Sequence, residues 1–138
     1  MAGKFKVVLF MGSARDAPPS WNPSGPCRLG DRVLSFLLQR VSELNDSSDA
    51  LGFEIDVMDC LSIPEFQTVM SNPTYFKAAD QIPDAIKEIQ AKIKDADAYL
   101  IVTPEYNHSM PSALTNMMNQ FGCSLYAYKV IFEYSIAC

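Results

Sequence analysis

The segment Thr103-Pro104-Glu105-Tyr106-Asn107-His108-Ser109-Met110-Pro111 gathers more chemistry than any other stretch of this sequence. Its prolines stiffen a loop that must otherwise turn backbone N–H groups outward. Tyr106 offers a flat surface to an aromatic ligand, and Asn107, His108 and Ser109 offer donors to its edges. A second cluster, Gly12-Ser13-Ala14-Arg15, combines a small residue for a tight turn with a hydroxyl and a guanidinium suited to an anion. A helix following it would add its positive N-terminal end. Taken alone, this second cluster fits a plain surface turn equally well. It is not a P-loop, which needs a second glycine followed by Lys and Ser/Thr. Nor is it the dinucleotide fingerprint G-x-G-x-x-G, because position 14 is alanine. A phospho-acceptor receiver is excluded because Thr103 and Pro104 stand where its aspartate would be. His108 is the one histidine, and no nucleophile–base pair is visible, so no catalytic side chain is assigned. Cys27, Cys60, Cys123 and Cys138 form no C-x-x-C pair, which argues against a metal site.

These residues must be positioned by regular elements. Phe5–Met11 is a continuous β-branched and aromatic run that reads as a strand buried on both faces. A turn-rich segment over residues 12–30 follows, with Pro18, Pro19, Pro23 and Pro26. Asp31 is expected to cap a helix carrying Val33, Leu34, Phe36, Leu37, Leu38, Val41 and Leu44 at helical spacing. Phe53–Met58 alternates apolar and charged residues and reads as a second strand. Residues 59–81 show no clear period and read as a loop, and a structureless loop of this length is uncommon unless it has a function. Pro83 opens a helix with Ile82, Ile86, Ile89 and Ile93 on one face. Ala98–Val102 is a third strand. Leu114, Met117, Met118 and Phe121 mark a short helix, which Gly122 is expected to end in a left-handed conformation. Tyr128–Ile136 is a fourth strand. Strict alternation of this kind predicts an α/β fold: a parallel sheet joined by right-handed crossovers, with helices on both faces in three layers. Ligands in such sheets bind beyond the carboxyl ends of the strands, where both clusters fall.

The chain has 138 residues, 49% of them hydrophobic, and a formal net charge of −5. It is long enough for one core, and the acidic balance argues against nucleic acid. The apolar run near the N-terminus is too short for a secretory segment, and no stretch approaches a membrane span. The expectation is a single domain over 1–138 that is soluble and cytoplasmic, with no disulfide framework.

With these motifs in place, the sequence resembles the NAD(P)H-dependent FMN reductase family of flavodoxin-like proteins. The resemblance rests on Thr103 to Pro111 continuing through Ala113-Leu114-Thr115-Asn116, on Gly12-Ser13-Ala14-Arg15, and on Gly30-Asp31-Arg32-Val33. It implies a flavodoxin-like doubly wound sheet. It further implies that the first loop, with Gly12, Ser13 and Arg15, holds the flavin phosphate, and that Arg32 is a second phosphate contact. Pro104, Glu105, Tyr106, Asn107, His108 and Ser109 would cradle the isoalloxazine ring. The implied activity is FMN-dependent, with NAD(P)H as electron donor and a small acceptor such as a flavin or a quinone. A flavoenzyme of this kind needs no catalytic triad.

Two departures stand out. Asp16 to Leu29 separate the first loop from its helix, and Trp21 in that stretch is expected to pack on the outside of the protein rather than cover the site. The sequence also stops at the fourth strand, so the fifth strand of the family's 2-1-3-4-5 order is expected to be missing. An open apolar edge at Val130, Ile131, Phe132, Tyr134 and Ile136 would follow, and it allows a homodimer. The alternative expectation is therefore an impaired, shortened form that binds flavin weakly or pairs with a full-length relative.

Overall fold

A computed structural model describes residues 4–15, 28–47, 52–69 and 72–137. The expectations for Trp21 and for the prolines of residues 16–27 lie outside the described residues. Among the described residues four strands form one parallel sheet: β1 (Lys4–Met11), β2 (Gly52–Asp59), β3 (Ala98–Glu105) and β4 (Val130–Ala137), in the order β2-β1-β3-β4. This is the flavodoxin-like order carried through its fourth strand. The pairing runs Val7 with both Ile55 and Ala98, and Leu100 with Phe132.

Side-chain alternation along the strands builds a core on each face. On one face Leu9, Met11 and Val102 are covered by Val33, Leu34 and Leu37 of α1 (Leu29–Ser47). On the other, Val8, Phe10, Tyr99 and Ile101 pack with Ile86, Ile89 and Ile93 of α2 (Asp84–Asp95). Leu114 and Met117 of α3 (Ser112–Met118) close the same core, and α4 (Cys123–Tyr126) adds Leu125 and Tyr126. The Tyr99 hydroxyl is buried between helices, 2.9 Å from the Ile93 carbonyl and 2.8 Å from that of Leu125. Burial raises its pKa, and the Tyr126 hydroxyl is likewise pushed well up by burial and by Tyr99.

Four expectations need correction. First, α1 begins at Leu29, so Asp31 lies in its first turn instead of capping it; Gly30 is helical. Second, residues 59–81 are not structureless. Three single 3₁₀ turns, at Pro64–Phe66, Thr74–Phe76 and Ala79–Gln81, fold them onto the α2 side. Phe66 is buried edge-on against Phe121, and Asn116 Nδ2 donates to the carbonyls of Phe66 (2.8 Å) and Thr68 (3.0 Å). Such turns carry no long period, so pattern reading misses them. Third, Gly122 is extended, with φ −68° and ψ 149°, and opens α4 where a left-handed helix stop was expected. Fourth, β3 continues past Val102 to Glu105, because β4 pairs with it as far as Glu105 and Ala137. Proline is tolerated at position 104 for a geometric reason. The Val102 carbonyl points towards β1, and Pro104, two residues on, faces the same side, where β1 has already ended.

Among the described residues β4 is an edge strand. Val130, Ile131 and Phe132 are 55%, 53% and 60% exposed, so the expected open apolar edge is present at these three residues.

Candidate functional site

β1 and β3 are hydrogen-bonded neighbours, so the chain leaving β1 and the chain leaving β3 emerge side by side. The Gly12 N–H donates to the Val102 carbonyl at 2.8 Å and carries the pairing one residue beyond β1. A Cβ at Gly12 would stand 2.7 Å from Leu114 Cδ2, so the glycine is what lets α3 approach the loop. Gly30 plays the same part for α1: a Cβ there would fall 2.5 Å from the Ser13 Cβ and 2.7 Å from the Met11 sulfur. The first loop is thus wedged between two helices, and Ser13 is buried while Arg15 is exposed.

Arg28 ties this loop to the rest of the sheet. Its Nε donates to the Ser13 carbonyl at 2.8 Å, and Nη2 donates to the same oxygen. Nη1 and Nη2 form a fork with the Asp59 carboxylate, each at 2.6 Å, at the carboxyl end of β2. Nη1 also reaches Asp31 Oδ1 at 3.3 Å. Burial alone would raise the Asp59 pKa. The Arg28 hydrogen bonds, the Leu61 N–H and the Arg28 charge outweigh it and hold the carboxyl below its ordinary value. The Asp59 hydrogen bond is correspondingly the main cause that raises the Arg28 pKa. Neighbouring Cys60 is buried, and its thiol is pushed up by burial and by the Asp59 charge.

After β3, Tyr106 and Ser109 exchange backbone hydrogen bonds of 3.0 and 3.1 Å around Asn107 and His108. Both central residues have positive φ, 51° and 58°, the mark of a tight two-residue turn of the I′ kind. Asn tolerates that region better than His does. The His108 ring projects almost fully into solvent, with Nδ1 3.1 Å from Glu105 Oε1. Pro104 is buried, Glu105 and Tyr106 are half-buried, and Asn107, His108 and Ser109 are exposed.

The two loops meet. The Arg15 guanidinium lies over the Tyr106 ring, 4.0 Å from its centroid, a cation–π contact. The structure therefore brings Gly12, Ser13, Arg15, Pro104, Glu105, Tyr106, Asn107, His108 and Ser109 to one end of the sheet. Arg32 is exposed on α1 and lines a hollow of ≈ 240 Å³ with Val33, Phe36 and Leu37. Arg28, not Arg32, is the guanidinium that reaches the first loop among the described residues. Sequence reasoning missed Arg28 because its partner Asp59 lies 31 positions away. A basic residue just before a helix and an aspartate ending a strand were the only cues. A cleft of ≈ 350 Å³ opens beside Cys60 and the start of α3, lined by Leu61, Phe66, Gln67, Ser112 and Ala113. Another, of ≈ 550 Å³, lies at the opposite end of the sheet, flanked by the ion pairs Lys6–Asp95 and Lys92–Asp56. Among the described residues no cluster of His, Cys, Asp and Glu could hold a metal ion, and no helix is long and apolar enough to cross a membrane.

Comparison with known proteins gives this arrangement its context. The family model described as NADPH-dependent FMN reductase matches residues 5–136. A 2-hydroxy-1,4-benzoquinone reductase from Burkholderia sp is 39% identical over 56 residues, 40% of this chain and 31% of that protein. The probable NADPH:quinone oxidoreductase 2 of Oryza sativa subsp. japonica is 29% identical over 96 residues, 70% of this chain and 43% of that one. The chain thus spans less than half the length of these relatives. Among solved structures, the flavoenzyme NAD(P)H:(acceptor) oxidoreductase FerB from Paracoccus denitrificans superposes with a TM-score of 0.60 at 21% identity. The match covers 95% of this chain and 60% of that one, and it shows the shared fold.

Proposed function

Because this chain belongs to the NADPH-dependent FMN reductase family, we propose that it is an FMN-dependent NAD(P)H oxidoreductase acting on a small acceptor, a flavin or a quinone. FMN, when bound, supplies the chemistry by taking a hydride from the nicotinamide and passing electrons on to the acceptor. The observation that carries this reading is the meeting of the two loops through Arg15 and Tyr106. The residues present suit such a cofactor. Gly12 and Gly30 keep side chains out of the first loop, where backbone and Ser13 would receive the phosphate and Arg15 would neutralise it. Arg32 would add charge from the exposed start of α1. Pro104 and Glu105 end β3 as a rigid platform, and Tyr106, Asn107, His108 and Ser109 would border the ring. The positive φ values at Asn107 and His108 turn backbone outward, where N–H groups can stabilise negative charge on a bound ring. No side chain is assigned a catalytic role, and a cytoplasmic location is part of the proposal.

Titration with FMN, followed by quenching of its fluorescence, tests this directly. The expected result is saturable quenching and FMN-dependent consumption of NADPH or NADH with a quinone present. Protein that emerges colourless from gel filtration after mixing with FMN, and quenches nothing, would overturn it.

A second reading is favoured by β4, whose Val130, Ile131 and Phe132 are more than half exposed along an open edge. On that reading the chain holds flavin weakly and associates through this edge, with a second copy or with a longer relative. Sedimentation across a concentration series decides between them: a flavin-loaded monomer at high concentration rejects the second reading.

A further inference from the structure

Arg28 stands where an anion-binding arginine would be sought, yet every one of its donors is already used. A guanidinium carries five N–H groups. Nε points to the Ser13 carbonyl, Nη2 divides between that carbonyl and Asp59 Oδ1, and Nη1 divides between Asp59 Oδ2 and Asp31 Oδ1. Only 9% of the side chain is exposed, and Asp59 is itself fixed by the Leu61 N–H at 2.9 Å. A ligand could recruit Arg28 only by breaking one of these bonds.

What Arg28 does instead follows from the geometry of one peptide. The described residues contain no cis peptide bond, and in a planar trans peptide the C=O and the following N–H point in opposite directions. With the Ser13 oxygen held by Arg28, the Ala14 N–H must point away from Arg28 and Asp59. Among the described residues nothing accepts a hydrogen bond from that N–H. We propose that Arg28, anchored by Asp59, is a positioning residue of the first loop: it turns the Ser13–Ala14 peptide so that the Ala14 N–H is presented to the phosphate of the bound flavin. The inference rests on the FMN reading above and adds a specificity element to it. The Arg28–Asp59 pair sets the preference for a phosphorylated flavin over one without the phosphate, although neither side chain touches it.

The test compares FMN with riboflavin, which shares the ring and lacks the phosphate. Dissociation constants for both are read by fluorescence quenching in the wild type, Asp59→Asn and Arg28→Lys, with thermal melts alongside. Asp59→Asn keeps the shape and breaks the charged anchor; Arg28→Lys keeps the charge and loses the fork. Both variants should weaken FMN roughly tenfold or more, the worth of a hydrogen bond to a charged group, while riboflavin stays within about twofold. Tighter FMN binding by Asp59→Asn would overturn the inference, because it would mean that a freed Arg28 grips the phosphate itself. Equal losses for both flavins would overturn it too, since they would report only a damaged fold. If the wild type quenches neither flavin, the FMN reading fails by itself. Inorganic phosphate then serves as the probe: it should raise the melting temperature of the wild type and not of the variants, and a rise in all three or in none rejects the positioning role.

Discussion

Gly30→Ala is the sharpest single probe of how the site is built. In isolation the change should help. Gly30 lies inside α1, and replacing glycine with alanine in a helix is worth about 1 kcal/mol. The tertiary contacts oppose it. The new methyl would sit 2.5 Å from the Ser13 Cβ and 2.7 Å from the Met11 sulfur, each more than 1 Å inside normal contact. Neither neighbour yields easily: Met11 is fully buried in β1, and Ser13 is clamped by Arg28. Overpacking of this kind costs about 1–3 kcal/mol, and here the upper half of that range applies because the Ser13 Cβ moves only with its own backbone and the Met11 sulfur is enclosed by the core. A net loss of about 1–2 kcal/mol remains. Guanidinium unfolding at neutral pH measures it, with Gly122→Ala as the control. A Cβ at Gly122 meets nothing nearer than 3.7 Å, so that variant should stay within about 0.5 kcal/mol of the wild type. Because the displaced Ser13 belongs to the proposed phosphate loop, Gly30→Ala should weaken FMN as well. A Gly30→Ala protein as stable as the wild type, or more so, would refute the close packing of α1 on the loop.

Other outcomes follow from the same contacts. The Asp59 carboxyl is held below its ordinary pKa when folded, so its contribution to stability is complete above the unfolded carboxylate value near pH 4 and is lost as pH falls through the folded value. Asp59→Asn should therefore lose stability at neutral pH and flatten the acid limb of the stability curve; an unchanged acid limb contradicts the pairing with Arg28. Tyr99→Phe removes a buried hydroxyl shared by the Ile93 and Leu125 carbonyls and should cost about 1 kcal/mol in denaturant unfolding. No loss would mean that the Lys129 Nζ, 3.0 Å from the Ile93 carbonyl, already suffices. Phe132→Lys places a charge on the open edge and should reduce concentration-dependent association without lowering stability by more than about 0.5 kcal/mol. Sedimentation and unfolding together check it.

Much of the architecture was legible in the chain because its signals are local. Strands such as Phe5–Met11 declare themselves by apolar runs, α2 by isoleucines every three or four residues, and the parallel order by alternation of strand and helix. The Thr103–Pro111 motif was legible for the same reason: its residue types are contiguous. The turns within residues 59–81 were not, since a single 3₁₀ turn has no period, and Phe66 and Thr74 are held by Phe121, Asn116 and Gln120, some 46 to 55 residues away. Gly122 was misread because its extended φ is set by where α4 must begin.

By itself the sequence determined the fold class and the two loops that follow β1 and β3, and the strand order came with the family resemblance. Only the tertiary structure decided which arginine reaches the first loop. Arg28 and Asp59 are brought together by the parallel pairing of β1 and β2, which aligns Met11 with Asp59 and sets the strand ends side by side. No local pattern encodes that meeting, because a part-buried ion pair depends on where two chain segments converge, not on what precedes or follows either residue.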